Sequence, residues 1–431
     1  MTRVLNIWWE GRIAGQLSQN QHGELGFVYA PEWLDDAAAP DLSVSLPKRA
    51  GPFARRECRP FFAGLLPEES QRDAAALALG VSRGNDFALL DRLGGDVAGA
   101  LQLLAPGETP ASPASQQRPM LLDEAGMIRI LNELPMRPML AGQAGLRLSL
   151  AGAQSKLPVV LVEGAIALPA PAQPTTHILK PPIARFAAVT ENEAFVMRLA
   201  AAVGLDVAPV EARVVRGRTF LLVQRYDRSI GGDGFVRRIH QEDFCQALGV
   251  PPETKYASEG GPTFKLCFAL LRRVAARPAA DVLKLLDAVI FNLIAGNADA
   301  HGKNFSILYE DQGARLAPLY DLLATAAYPE LSPKLAMKIG KRATLAEMDA
   351  KDWVAFATDA GLGLPLVRRR VAELSESVQA AAHDVAGELA QPGLDENALV
   401  QFAELVRNRA GRCALTVQKD VKGTTNADGS D

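Results

Sequence analysis

The sequence predicts an α+β protein in two parts, strand-rich toward the N-terminus and helical toward the C-terminus. Three observations predict it. Residues 2–30 alternate apolar and polar side chains around Gly11, Gly15 and Gly23, the period-two pattern of short antiparallel strands. The segments LSLAGAQSKLPVVLVEGAIALP (148–169), THILKPP (176–182) and VVRGRTFLLVQRYDR (214–228) are again strand-like and broken by turns. From IHQEDFCQALG (239–249) onward the apolar residues recur at helical spacing.

In chain order, the short strands are followed by a stretch of helical patterning over 61–104, with Leu65, Ala76, Leu77, Phe87, Leu90 and Leu93 expected to face inward. APGETPASPASQQRPM is rich in Pro, Ser and Gln and reads as a linker. This gives an N-terminal subdomain over 1–105, a linker over 106–120 and a strand-rich lobe over 121–235 that holds one helix, NEAFVMRLAAAVG. A helical lobe follows over 236–415, with amphipathic runs at 265–295, 345–360, 365–390 and 395–413 and a capping-box spacing at Thr344 and Glu347. Residues 416–431 have too few apolar side chains to pack and are expected to be disordered.

Composition removes several function classes. With 46 Lys and Arg against 49 Asp and Glu, the net charge of -3 offers no general attraction to nucleic acid or to an anionic membrane, so DNA contact is expected only through a partner. No stretch reaches the roughly 18 consecutive apolar residues of a membrane helix. Four scattered cysteines without a C-x-x-C fit a reducing cytoplasm better than a disulfide framework or a zinc ribbon.

The chemistry concentrates in GNADAHGKNFSIL (296–308) and in LAPLYDLLATAAY (316–328). Asp299 and Asn304 stand in the D-x-x-x-x-N relation of a catalytic base and a metal-binding Asn in phosphoryl-transfer enzymes, and Asp321 follows a short strand at the remove of their second metal ligand. A zinc site from Asp299, His301 and His240 lacks the ligand spacing zinc sites use. SLAGAQSK (149–156) is a small-residue loop whose backbone N–H groups can approach an anion, although it is not a Walker A sequence. Lys180 ends a strand-like run and could neutralise phosphate, with Glu191 or Glu193 available to hold it.

Together with ENEAFVMRLAAAVGL, IHQEDFCQALGV, LSVSLP, FFAGLLPE and GGDVAGALQL, these segments resemble the HipA family of bacterial serine/threonine kinase toxins over nearly the whole chain. The resemblance implies a bilobed, protein-kinase-like fold with an all-helical C-lobe, and protein phosphorylation with ATP and Mg2+. By that resemblance Asp299 is the catalytic base, Asn304 and Asp321 are metal ligands, and Lys180 and His301 contact the nucleotide. Ala151, Gly152, Ala153 and Gln154 would cover the phosphates. Gln224, Arg225 and Tyr226 form the hinge, where backbone groups meet adenine and Gln224 stands where the family often has Glu. Ser149 matches the serine that such kinases phosphorylate on themselves. Implied partners are a small helix-turn-helix antitoxin, which would supply DNA binding, and an acceptor protein such as an aminoacyl-tRNA synthetase, glutamate–tRNA ligase for instance. Two alternatives use the same residues: a nucleotide-binding co-repressor and a small-molecule or lipid kinase.

Overall fold

The computed structural model describes residues 2–110, 118–346 and 348–418. Residues 111–117 of the expected linker, Glu347 of the expected capping box and the tail from 419 lie outside the described residues. The chain divides into two compact units, one of residues 1–183, 211–254 and 306–313, the other of 184–210, 255–305 and 314–431. Residues 184–210 thus leave the expected strand-rich lobe, and 236–254 and 306–313 leave the expected helical one.

The two larger sheets of the first unit have separate cores. Arg3–Trp9, Arg12–Gln19 and Leu25–Tyr29 form an antiparallel meander, with Gly11 taking the positive φ of 76° that its turn demands. Leu5, Ile7, Leu17 and Phe27 on this sheet pack with Phe61, Phe62 and Leu90 from the helices Arg55–Ala63 and Asp86–Leu93. Two expectations for 61–104 are corrected here. Leu77 is 84% exposed, because Ala75 and Ala76 carry the buried face of the helix Glu69–Leu79 and Leu77 turns about 100° past it. Leu101–Leu104 is a strand paired with Arg3–Trp9, and its four residues are buried on both faces, which hides the alternation that marks a half-exposed strand.

The second sheet has six strands in the order Val210–Val215, Arg218–Gln224, His177–Lys180, Leu157–Val162, Ala165–Leu168, Met120–Leu121. The helix Glu124–Glu133 is capped by Asp123, whose Oδ1 accepts from the Gly126 N–H at 2.7 Å. It buries Met127, Ile130 and Leu131 in one core with Leu157, Val159, Leu179 and Leu222. IHQEDFCQALG opens as a strand, His240–Asp243, paired with Ser306–Glu310, before the short helix Phe244–Ala247.

Helices dominate the second unit: Val189–Ala202, Phe264–Val274, Pro278–Ala295, Ala350–Ala360, Leu364–Leu389 and Glu396–Gln418. The all-helical expectation for 236–415 needs correction, since Lys334–Ile339 and Arg342–Thr344 form a hairpin in addition to the strands above. Thr344 therefore ends a strand, and the next helix is capped instead by Asp349, whose Oδ1 accepts from the Asp352 N–H at 2.9 Å. The run 265–295 is two helices, because Pro278 cannot donate a backbone hydrogen bond and suits a helix start. The last helix reaches Gln418, so the expected disordered tail cannot begin at 416. Pro278–Ala295 is apolar nearly all round and correspondingly buried. It stops at Gly296, which adopts φ 77° and returns its N–H to the Leu293 carbonyl at 3.2 Å.

Candidate active site

In the second unit, Gly296 hands the chain to the loop Asn297–Asn304. Asn297 ties the loop to the helix that precedes it: its Nδ2 donates to Asn292 Oδ1 at 2.8 Å and its Oδ1 accepts from the Asp299 N–H at 3.1 Å. The His301 N–H donates to the Asp299 carbonyl at 2.8 Å, and the Asn304 N–H to the His301 carbonyl at 2.9 Å, so the loop closes in a tight turn over Gly302–Asn304. His301, Lys303 and Asn304 are buried, whereas Asp299 is exposed. Tyr256 donates its hydroxyl to Asp299 Oδ1 at 3.0 Å and sets its ring edge-on to His301, 5.5 Å between centroids.

Asp321 joins this loop from a separate segment. Asn304 Nδ2 donates to Asp321 Oδ2 at 3.1 Å, and the Tyr320 hydroxyl donates to the Lys303 carbonyl at 2.6 Å. Asp321 also holds φ at 58°, in the left-handed region where non-glycine residues are uncommon and which costs on the order of 1–3 kcal/mol. Asp299, Asn304 and Asp321, expected here from the spacing, and His301, expected from the resemblance, are thus gathered by one loop and one facing segment. Among the described residues no three His, Cys, Asp or Glu side chains form a metal cage. A magnesium ion needs none: it takes one or two protein oxygen ligands and fills its octahedron with water and substrate phosphates, so the Asp321 carboxylate fits it together with Asn304 Oδ1, which accepts from the His301 N–H at 3.3 Å and keeps a second lone pair.

In the first unit, the Ser149 side chain is fully buried, and its Oγ donates to the Leu65 carbonyl at 2.7 Å. Ala151, Gly152, Ala153 and Gln154 follow as a half-buried loop. Gly152 has φ 115°, and a Cβ there would lie 2.5 Å from Lys156 Nζ, which donates to the Ala151 carbonyl at 2.7 Å. Only glycine suits that position. Lys180 is buried at the end of its strand, paired with Leu221, while Gln224 pairs with His177 at the other end of the same ladder. Gln154 Nε2 lies 3.5 Å from the Pro181 carbonyl, which links the small-residue loop to the residue after Lys180.

Arg225 and Tyr226, the expected hinge residues, have partners within the first unit. The Arg225 N–H donates to the Thr176 carbonyl at 2.9 Å. Its guanidinium is buried and held by Asp227 at 2.7 Å and Asp96 at 3.3 Å, a network that Arg228 and Arg238 extend. Burial alone would raise the Asp227 carboxyl, but Arg225 and Arg228 overturn that and bring it down to about 2. The Tyr226 hydroxyl donates to Gln241. Of the two glutamates left open for Lys180, Glu191 accepts from the Asp395 N–H at 3.2 Å.

Comparison with known proteins decides the family. The family model described as HipA-like C-terminal domain matches residues 148–386, and that described as HipA N-terminal domain matches 5–104. The chain belongs to the HipA family. It is 67% identical to a Sinorhizobium fredii protein, Y4mE, whose name marks it only as a kinase candidate, across 96% of this chain and 99% of that protein. It is 32% identical to the serine/threonine-protein kinase toxin HipA of Shewanella oneidensis, across 96% and 95%. A solved Shewanella oneidensis complex of HipA, HipB and operator DNA contains a chain that superposes with TM-score 0.85 at 28% identity, across 96% of this chain and 98% of that one. The HipA-family fold is therefore present nearly end to end.

Sequence reasoning missed Tyr256, Asn297 and Lys156. None stands in a local spacing that marks a site, although Asn297 and Lys156 lay within the quoted segments. Tyr256 reaches Asp299 across 43 residues of sequence, which no local pattern reveals.

Proposed function

We propose that this HipA-family protein is an ATP-dependent serine/threonine protein kinase, the toxin of a toxin–antitoxin pair acting in the cytoplasm. The observation that carries the reading is the Asn304–Asp321 pair beside the exposed Asp299. Bound magnesium would neutralise developing charge on the nucleotide phosphates, with Asn304 and Asp321 as its ligands. Asp299 accepts the proton of an acceptor serine or threonine as its oxygen bonds to the γ-phosphorus. The bond from that phosphorus to the β–γ bridging oxygen breaks, and its electron pair leaves with ADP.

Lys180 serves as the phosphate-binding lysine and Ala151 to Gln154 as the loop over the phosphates, since Gly152 permits a close backbone approach. His301 contacts the nucleotide. Adenine meets the backbone between Gln224 and Tyr226, through groups other than the Arg225 N–H. The acceptor protein is an aminoacyl-tRNA synthetase, glutamate–tRNA ligase being the first candidate, so that phosphorylation slows translation. A helix-turn-helix antitoxin binds the toxin and supplies the DNA contact that a net charge of -3 does not favour. The kinase is switched off by phosphorylation of its own Ser149, because a phosphate carrying about two charges cannot stay in a fully buried site.

The test is incubation of purified protein with γ-labelled ATP, magnesium and a cell lysate, with identification of the labelled acceptor by mass spectrometry. Label on a synthetase supports the reading in full. Label on a lipid or small molecule only, or no label at all, refutes it.

A further inference from the structure

Asp321 sits in a strained backbone conformation, and strain of that kind persists only where the surroundings over-determine it. Upstream, the Leu319 N–H donates to the Asp206 carbonyl at 2.8 Å, and the Ala208 N–H donates to the Leu319 carbonyl at 2.9 Å. Downstream, the Ala324 N–H donates to Asn192 Oδ1 at 2.7 Å, while Asn192 Nδ2 donates to the Ala324 carbonyl at 3.1 Å. Asn192 therefore pairs with both backbone groups of Ala324, as a neighbouring strand would. Its second amide hydrogen reaches the Tyr328 hydroxyl at 3.3 Å, and that hydroxyl donates to the Ala187 carbonyl at 3.1 Å. The Asn192 side chain is 0% exposed. A fully buried amide that uses both hydrogens and its oxygen on one segment is costly to replace, because any apolar substitute leaves the Ala324 groups unpaired.

We infer that Asn192 is a positioning residue for the metal: by clamping Ala324 it fixes the segment 319–324 and sets Asp321 where it meets Asn304. This rests on the proposed kinase reading. Asn192 stands between Glu191 and Glu193, the two residues on which charge draws attention, and touches neither substrate nor metal. Outer groups that orient a metal ligand alter metal affinity about 10–100-fold when removed.

Two variants and a control test the inference. Asn192→Asp keeps the acceptor for the Ala324 N–H and loses both donors; Asn192→Ala loses all three bonds; Tyr328→Phe removes the neighbouring hydroxyl and leaves the clamp. Hydrogen exchange on metal-free, nucleotide-free protein is expected to show faster exchange confined to the amides of 320–325 in both Asn192 variants. Titration with magnesium at fixed ATP is expected to show half-saturation of nucleotide binding raised about tenfold in Asn192→Asp, and more in Asn192→Ala if it folds. Tyr328→Phe should match the parent in both. Local exchange and magnesium half-saturation that stay unchanged in Asn192→Asp overturn the inference while the kinase reading stands. A parent protein whose nucleotide binding ignores magnesium overturns both.

Discussion

Asn304 and Asp321, seventeen residues apart, share a hydrogen bond of 3.1 Å that joins the loop carrying Asp299 to the strained segment 319–324. The bond runs from the Asn304 amide nitrogen to the Asp321 carboxylate; that carboxylate and the amide oxygen are both donors suited to a hard cation, and the pairing survives only while both backbones keep their places. Asp321→Asn keeps the shape and removes the charge. Magnesium-dependent ATP binding should weaken about tenfold or more, read by calorimetry with and without magnesium, and nucleotide binding in chelator should change little. Undiminished magnesium dependence would make Asp321 structural.

Tyr256 holds one carboxylate oxygen of Asp299, leaving the group oriented before any acceptor arrives. Tyr256→Phe removes a single hydroxyl from a half-buried ring. A hydrogen bond to a charged group contributes about 1.5–3 kcal/mol, so the transfer rate should fall roughly ten- to a hundredfold with little change in the KM for ATP. A rate equal to that of the parent would show that Asp299 needs no such orientation.

Ser149 fills a fully buried position with its hydroxyl on the Leu65 carbonyl. Ser149→Ala deletes one hydrogen bond and should cost about 1 kcal/mol in stability, whereas Ser149→Asp buries a carboxylate beside a carbonyl and should cost several times more or expel the segment. The expelled segment continues into Gly152, so ATP affinity should drop in Ser149→Asp and hold in Ser149→Ala. Equal ATP affinity in the two variants would argue against self-inactivation through this serine.

Glu242 is buried with its carboxylate accepting from Ser43, from Tyr309 and from the Val44 N–H at 2.9 Å. Burial, only partly offset by these bonds, raises its pKa from 4.5 to about 7. The folded state therefore holds this proton more tightly than the unfolded chain does. Its contribution to stability is complete below pH 4.5 and is lost as the pH climbs through about 7. Glu242→Gln cannot titrate, so the stability of the parent relative to the variant should fall by on the order of 3 kcal/mol across that window in urea unfolding. His240 on the same strand runs the other way: burial lowers it to about 4, and its contribution is lost as the pH falls from 6.5 toward that value. A pH-independent difference between parent and Glu242→Gln would mean that Glu242 is ionised in the fold.

The sequence made the loop legible because its chemistry is local. Asp299 and Asn304 are five residues apart, Gly296 announces the helix end, and Asp321 follows one hairpin later. What it hid was tertiary. Tyr256 and Asn192 act on partners 43 and 132 residues away, and neither type nor spacing marks them. Leu101–Leu104 lost its strand alternation through burial on both faces, and Leu77 was placed inside by apolar character when its helix turns it to solvent. The Arg225 side chain is held by two buried aspartates and its N–H by Thr176, tertiary partners that the local pattern around the expected hinge does not show. Helix boundaries near 277 and 349 followed from Pro278 and Asp349 once the turns between the runs were in view.

The measurement closest to the central claim is transfer of label from γ-labelled ATP to protein by the parent and by Asp299→Asn, with ATP binding measured on both. The account predicts label on a serine or threonine with the parent, loss of at least about a thousandfold in rate with the variant, and ATP affinity within a few-fold of the parent. Parent-level transfer by Asp299→Asn would contradict the role of Asp299, and a parent that binds no ATP would contradict the kinase itself.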